Sequence, residues 1–263
     1  MTHVNKPVLP ISIIIPTYSE EVALPKLLKS IKEQVIGPAE IIVADANSPD
    51  KTKEIAESYG CIVVEGGKIA VGRNNGARVA KSEYLLFMDA DTCLMSPTTL
   101  LEAFTEFVKR EADIASAGFK PDKDGATSFG YATGFVMFNA WNALRNLQSL
   151  SQSPALEGGA FVLMKQTVFR HVKGFDERMG MGEDRDIFVR AVKLGYKYLH
   201  LSQNVLTSTR RYDTPKKTAN SIVSGIGLFV LLGSGIYLGS QLAKRVYAKY
   251  GKGGGGEGRD LNE

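Results

Sequence analysis

Four short runs of nearly all-apolar, often β-branched residues alternate with helical patterns in the first half of the chain. They read ISIIIP, IIVADA, CIVVEG and YLLFMDAD, and they begin at residues 11, 41, 61 and 84. Strands this apolar are buried on both faces, which is typical of parallel strands whose connecting helices cover the sheet. The sequence therefore predicts an α/β domain with a mainly parallel sheet flanked by helices.

The composition is that of one such domain with an appendage. The chain has 263 residues, of which 44% are hydrophobic and 23% charged, and its formal net charge is +4. This mild basicity suits an acidic ligand or an anionic membrane surface, and no basic patch with interleaved aromatic residues indicates nucleic acid. Cys61 and Cys93 form no CxxC pattern, so we predict neither a disulfide framework nor a structural zinc site.

Residues 221–239 form an uncharged apolar run between two basic segments. Its length is near the minimum for a membrane span, and a span, an interfacial helix and a buried terminal helix all fit its composition. We predict a domain over residues 1–212, a membrane-associated helical segment over residues 213–245 and a flexible Gly-rich tail over residues 246–263. Because no long apolar run precedes the first strand, we expect the domain at the cytoplasmic face of the cell membrane.

Polar side chains follow the predicted strands at the points where they end. Asp45 closes the second run, and Asp89 and Asp91 close the fourth. In open parallel sheets, ligands bind outside these carboxyl ends. Two carboxylates one residue apart offer the hard oxygen ligands that Mg²⁺ or Mn²⁺ prefers, and such ions bridge to substrate phosphates. The alternative is an acidic turn that caps the next segment and stays solvated.

Five segments, in this order and spacing, resemble glycosyltransferase family 2, the inverting nucleotide-sugar transferases of the GT-A fold. They are PTYSEE, VADANSPDKT, GRNNGARVAKSEYLLFMDADT, EGGAFVLMKQTVFRHVKGFDERMGMGEDRDIFVRAVKLGYKYLHL and TSTRRY. The resemblance covers roughly residues 10–212. It implies a Rossmann-like mixed, mainly parallel sheet and a nucleotide-diphosphate sugar as donor, linked to uridine or guanosine.

The resemblance implies donor and metal contacts at the carboxyl edge of the sheet. Asp89 and Asp91 match the metal-binding DxD motif, and Asp45 matches the acid that contacts the nucleoside base. The implied donor-binding residues are Pro16, Thr17, Glu20, Asp45, Arg73, Asn74, Asp89, Arg210 and Arg211. From the residues alone, Asp45 is equally a turn residue before Ser48, which we predict as the N-cap of the second helix.

The resemblance also implies an acceptor side. Asp184 matches the acid that serves as general base toward an acceptor hydroxyl, with Glu183 beside it, and Glu157, Gly158 and Gly159 match a Gly-rich acceptor loop. From the residues alone, the two acids are ordinary dipole partners of a helix that begins near Ile187, and the glycines form a plain turn.

These patterns predict an inverting, metal-dependent glycosyltransferase that acts on a sugar or polyprenyl-phosphate acceptor at the membrane. The alternative is a membrane protein that keeps the fold and binds nucleotide sugars without turnover. Trp141, Phe135 and Phe138 form a membrane-interface belt, a lipid-acceptor groove or simple core packing. Arg210 and Arg211 are in the same way open to contact with anionic headgroups.

Overall fold

The computed structural model describes residues 8–149, residue 154 and residues 157–221. Within these residues eight strands form one sheet: β1 (Val8–Thr17), β2 (Gly37–Asp45), β3 (Ile62–Glu65), β4 (Tyr84–Met88), β5 (Thr92–Leu94), β6 (Ile114–Pro121), β7 (Phe161–Lys165) and β8 (Tyr198–Thr207). The helices are α1 (Leu24–Lys32), α2 (Thr52–Ser58), α3 (Ile69–Val79), α4 (Thr99–Lys109), α5 (Ser128–Ser149), α6 (Gln166–His171) and α7 (Glu183–Lys193), with a 3₁₀ turn at Arg210–Tyr212. The four apolar runs of the sequence lie in β1, β2, β3 and β4, as predicted.

The strand order in the sheet is β3-β2-β1-β4-β7-β6-β8-β5. The first four strands are parallel, β6 and β8 are parallel to each other, and β7 and β5 run antiparallel to their neighbours. The prediction of a mixed, mainly parallel sheet flanked by helices is confirmed. Thr17 pairs with Asp45, and Asp45 pairs with Glu65, so the polar ends of three strands lie side by side.

The core lies on both faces of the sheet. Ile13 and Ile15 of β1 pack in one cluster with α1 and α4, whereas Ile14 packs with Phe87 and α7 in a second cluster on the opposite face. All four side chains are fully buried. Because successive residues of a strand point to opposite faces, a run of isoleucines is what two helical layers require.

The aromatic stretch after β6 forms the 22-residue helix α5. Phe138 is buried against Phe119 and Tyr212, whereas Phe135 is 54% exposed. Simple core packing therefore accounts for only part of this stretch.

The described chain ends in a helical segment at residues 215–221. The predicted apolar run lies outside the described residues from residue 222 onward, as does the Gly-rich tail, and the domain boundary at residue 212 stays a prediction. Among the helices of the described part, none combines the length and apolarity that a bilayer span requires.

Candidate active site

Asp45 closes the turn that follows β2. Its Oδ1 accepts hydrogen bonds from the Thr17 hydroxyl at 2.9 Å and from the Ser48 hydroxyl at 2.6 Å, and its Oδ2 accepts one from the Ser48 backbone N–H at 2.9 Å. The predicted N-cap role of Ser48 is therefore wrong, because α2 begins later, at Thr52, and Ser48 serves Asp45 instead. These bonds fix a buried carboxylate beside the end of β1, where Pro16 lies against Gly72.

Asp89 and Asp91 lie in a tight turn between β4 and β5. The backbone N–H and the hydroxyl of Thr92 both donate to the Asp89 carbonyl, at 3.2 and 2.6 Å, and the Asp91 carbonyl accepts from Ser208 N–H at 3.1 Å. The Asp89 and Asp91 side chains are 35% and 20% exposed. The two carboxylates are thus held by their backbone and are reachable from solvent at the predicted edge.

The Arg73 guanidinium joins two of the predicted motifs. Its Nη2 donates to Asp89 Oδ1 at 2.8 Å, and its Nη1 donates to Glu183 Oε1 at 2.9 Å. The Arg73 side chain is only 3% exposed and lies over the Phe175 ring, 5.2 Å from its centroid. Burial disfavours its charge, but Asp89 and Glu183 raise the pKa of Arg73, so it stays cationic. The strand-end acid and the α7 acid are thereby fixed around one charge.

Arg210 also bridges two carboxylates, those of Asp91 and Glu20. Its Nη2 lies 3.2 Å from Asp91 Oδ2 and 3.2 Å from Glu20 Oε2. The Arg210 side chain is 42% exposed, in contrast to buried Arg73. An exposed arginine on two carboxylates is able to exchange them for the oxygens of a diphosphate at small structural cost. Arg211 beside it is exposed as well.

Burial makes ionisation of several of these acids unfavourable. It raises the pKa of Glu20 to about 7, with Asp91 adding to the rise and Arg210 opposing it. It raises the pKa of Glu183 to about 7, with Arg73 opposing and Asp184 adding. Burial and the neighbouring Asp89 charge also raise the pKa of Asp91. A cation bound among these carboxylates would reduce the repulsion between their negative charges at the carboxyl edge of the sheet.

Asp89 and Asp91 offer carboxylate oxygens, the ligand type that Mg²⁺ and Mn²⁺ prefer. In the described part of the chain, no group of three or more His, Cys, Asp or Glu side chains has the geometry of a metal site. The described hydrogen bonds use Oδ1 of Asp89 and Oδ2 of Asp91, and the second oxygen of each remains for a cation. Two carboxylate oxygens fit an ion that takes its other ligands from water and phosphate.

Asp184 is held by backbone groups at the start of α7. Its Oδ2 accepts from Gly159 N–H, and its Oδ1 accepts from Arg185 N–H at 2.9 Å. The helix begins at Glu183, not near Ile187 as expected, so both acids belong to its first turn. A carboxylate oxygen has a second lone pair, so each oxygen of Asp184 can accept a further hydrogen bond.

Two glycines carry the loop after Glu157 past Asp184. Gly158 and Gly159 have φ values of 116° and 101°, in the region that favours glycine. A Cβ at Gly158 would lie 3.0 Å from the Asp184 carboxyl carbon, and one at Gly159 would overlap the Phe119 ring. These positions require glycine so that the loop can approach Asp184 closely.

Glu157 lies apart from this edge, in a buried cluster. Its Oε2 accepts from Arg145 Nη2 at 2.6 Å and from the Ser116 hydroxyl, and His200 Nδ1 lies 3.6 Å away. Arg145 is fully buried and also donates to the Ala117 carbonyl at 2.8 Å. Burial opposes ionisation, but His200, Arg145 and Ser116 together hold the pKa of Glu157 below its usual range. Its predicted acceptor contact stays a prediction, and its described contacts anchor the glycine loop to α5.

Replacing Glu157 with glutamine is expected to lower the free energy of unfolding by about 3 kcal/mol, because it leaves the Arg145 charge buried and uncompensated. Urea unfolding at neutral pH measures the loss. Glu57→Gln, on the exposed face of α2, is the matched control and should change stability by less than about 0.5 kcal/mol. Equal stability of the two variants would contradict the assigned role of the buried pair.

The remaining predicted donor residue, Asn74, contacts a neighbouring loop. Its Nδ2 donates to the Phe175 carbonyl and to Glu177 Oε1, each at 2.9 Å, and its Oδ1 accepts from Phe175 N–H at 2.9 Å. These bonds fasten the loop before α7 to α3, next to Arg73. A donor contact of Asn74 stays a prediction.

Comparison with known proteins agrees with this architecture. A mannosyltransferase from Pyrobaculum calidifontis, solved with GDP-Man and Mn²⁺, superposes with a TM-score of 0.61 over 94% of this chain and 76% of its own, at 17% identity. The chain is thus a GT-A-like protein, with a mixed sheet flanked by helices.

The family follows from the sequence. The model of the family described as Glycosyl transferase family 2 matches residues 12–173, more than half of the chain. The chain belongs to glycosyltransferase family 2, as its motifs indicated, and is a transferase.

Two proteins with similar sequences are glycosyltransferases of bacteria. The O-antigen chain rhamnosyltransferase RfbN of Salmonella typhimurium is 23% identical over 79% of this chain and 68% of its own length. The GalNAc(5)-diNAcBac-PP-undecaprenol beta-1,3-glucosyltransferase of Campylobacter jejuni is 32% identical over 36% of this chain and 35% of its own.

Proposed function

We propose that this protein is an inverting, metal-dependent glycosyltransferase that moves a sugar from a nucleotide-diphosphate donor, UDP- or GDP-linked, to a lipid-linked acceptor. We place it at the cytoplasmic face of the cell membrane. The observation that carries the proposal is the Arg73 bridge, in which one buried guanidinium fixes Asp89 and Glu183 at 2.8 and 2.9 Å. A motif that would hold the donor and a motif that would activate the acceptor thus share one anchor.

The donor would lie along the carboxyl ends of β1, β2 and β4. Asp45, fixed by Thr17 and Ser48, would face the nucleoside, and the diphosphate would lie near Asp89 and Asp91. A bound Mg²⁺ or Mn²⁺ would neutralise charge that develops on the leaving diphosphate. Arg210 would move from Asp91 and Glu20 to the diphosphate oxygens and stabilise the same charge.

Asp184 would act on the acceptor. With a hydroxyl acceptor, its carboxylate takes the hydroxyl proton while the acceptor oxygen bonds to the anomeric carbon and the bond from that carbon to the diphosphate breaks. This single displacement inverts the stereochemistry at the anomeric carbon. With a polyprenyl phosphate the attacking oxygen is already ionised, so Asp184 would only orient it.

The relatives support this choice of substrates. The Pyrobaculum protein was solved with GDP-Man and Mn²⁺, and the name of the Campylobacter relative specifies an undecaprenol diphosphate-linked acceptor. The uncharged run at residues 221–239 favours a membrane location from the sequence.

The test is release of nucleoside diphosphate from a panel of nucleotide sugars, with Mn²⁺ or with chelator, in the presence and absence of polyprenyl phosphate. We expect metal-dependent release from one donor, increased by the lipid. Metal-dependent binding of one nucleotide without release under any acceptor condition would favour the non-catalytic nucleotide-sugar-binding membrane protein. Failure to bind any nucleotide would contradict both.

A further inference from the structure

The exposed face of α5 is apolar and carries no charge. Its largest exposed side chains are Phe129, Phe135, Val136 and Leu144, which are 47%, 54%, 58% and 51% exposed. The other exposed residues in the part of the helix whose side chains are described are Ser128, Ala132, Asn139, Ala140, Ala143 and Asn146. A surface helix of a soluble protein ordinarily shows charged residues to water. This face is therefore a contiguous apolar patch of the kind that marks an interaction site.

The single charge in the α5 sequence points the other way. Arg145 is fully buried and pairs with Glu157. The helix thus buries its cation at some cost in desolvation and offers uncharged side chains to the outside. With no charge on its exposed face, the helix is suited to an environment less polar than water on that side.

The 3₁₀ turn after β8 and the residue that follows it contact this helix. The Thr127 hydroxyl, just before α5, donates to Asp213 Oδ1 at 3.3 Å, and the Phe138 and Tyr212 rings meet at 5.7 Å. Eight residues after Asp213 the sequence enters the uncharged run 221–239. A run of this length is near the minimum that spans a bilayer.

Exposed basic residues lie on the same segment. Arg211, Lys216 and Lys217 are exposed on the segment that leads from the 3₁₀ turn to residue 221. Basic residues beside an apolar segment attract the anionic headgroups of a membrane. An apolar helix face, basic neighbours and the start of an apolar run therefore lie in one region.

We infer that the exposed face of α5 is a docking surface for a lipid bilayer with anionic headgroups. This inference deepens the membrane part of the proposed function and rests on it. The buried face of α5 touches Thr209, next to Arg210, and Phe119, which covers Gly159. A bilayer docked on α5 would hold the candidate site at the membrane surface, where the headgroup of a lipid-linked acceptor is presented.

Phe135 allows a direct test because it is 54% exposed on this face, whereas Trp141, the single tryptophan of the chain, is only partly exposed and lies on the opposite side of α5. Phe135→Trp in a Trp141→Phe background therefore puts one indole on the exposed face, and this 263-residue variant is mixed with vesicles of phosphatidylglycerol and phosphatidylcholine in equal parts, with or without bromine on the acyl chains. We expect the emission of the introduced indole to fall by roughly half with brominated lipid, because an interfacial helix places its apolar face about 5–10 Å into the boundary of headgroups and chains.

A matched pair of variants locates the contact. Val136→Glu on α5 should reduce the quenching by roughly half or more, because a carboxylate is costly at that depth, whereas Val108→Glu should leave it unchanged. Val108 is 49% exposed on α4. Circular dichroism of both variants confirms that each is folded.

Three results would overturn the inference. The protein could float with vesicles while the indole introduced at position 135 stays unquenched, which would mean that other residues bind the bilayer. It could show a concentration-dependent blue shift of that indole without lipid, which would identify a second copy as the occupant. It could fail to bind vesicles at all. None of these readouts uses a sugar donor, so failure of this inference and failure of the transferase proposal are distinguishable.

Discussion

The Asp91→Asn variant is expected to lose metal-supported release of nucleoside diphosphate by about 10³-fold, which corresponds to several kcal/mol of transition-state stabilisation. Asparagine keeps the shape of the side chain but removes the negative oxygen that a divalent cation would bind. Release kinetics across a Mn²⁺ titration measure the effect, and we expect no recovery at high Mn²⁺.

The free energy of unfolding shows whether Asp91→Asn loses activity at the site or because the protein unfolds. Burial and Asp89 raise the pKa of Asp91, so the ionised form is disfavoured in the folded protein relative to the unfolded chain. The free energy of unfolding of Asp91→Asn at neutral pH should therefore equal or exceed that of the wild type. Loss of activity together with loss of stability would show that Asp91 acts through the fold.

Asp124→Asn is the matched control for this substitution. The Asp124 side chain is 78% exposed and lies 3.7 Å from Lys26, a surface pair worth at most about 1 kcal/mol. Activity and metal dependence should match the wild type. Metal-stimulated release that survives in Asp91→Asn would contradict the metal role of the strand-end acids.

The sequence predicts the first half of the fold well because burial alone determines it. Ile13, Ile14 and Ile15 must be buried on alternate faces, and only a sheet between two helical layers does this. The same argument places Asp45 and Asp89 at one edge, since parallel strands end together. The alternation of apolar residues and the common direction of the strands are enough to predict this part of the fold, without knowledge of any long-range contact.

The contacts between distant segments could not be derived in this way. Arg73 and Glu183 are 110 residues apart in sequence, and no local pattern shows that they meet. Arg145 is the single charged residue in the α5 sequence, which indicates that its charge has a special role. That its partner is Glu157 follows only from the fold. The N-cap role of Ser48 failed because a serine hydroxyl bonds to a nearby side chain as readily as to a helix end.

The residue at which α7 begins determines which backbone groups surround Asp184. Since the helix begins at Glu183, Asp184 lies in its first turn and receives N–H groups from Gly159 and Arg185. These donors fix the carboxylate in place, and the positive φ values of the glycines let the loop approach it closely. The resemblance of the motif names Asp184 as the proposed base, and the fold orients its carboxylate.

Asp184→Asn is accordingly expected to lower kcat by about 10²–10⁴-fold with a hydroxyl acceptor such as a sugar on polyprenyl diphosphate, because the amide cannot take the proton. The KM for the donor should change little, since the proposed partner of Asp184 is the acceptor. With polyprenyl phosphate as acceptor the loss should be much smaller, because the attacking oxygen carries no proton to remove. Initial rates with both acceptors, with Asp124→Asn beside them, measure the difference. An unchanged kcat with the hydroxyl acceptor would remove Asp184 from the mechanism, whereas equal losses with both acceptors would make it a positioning residue.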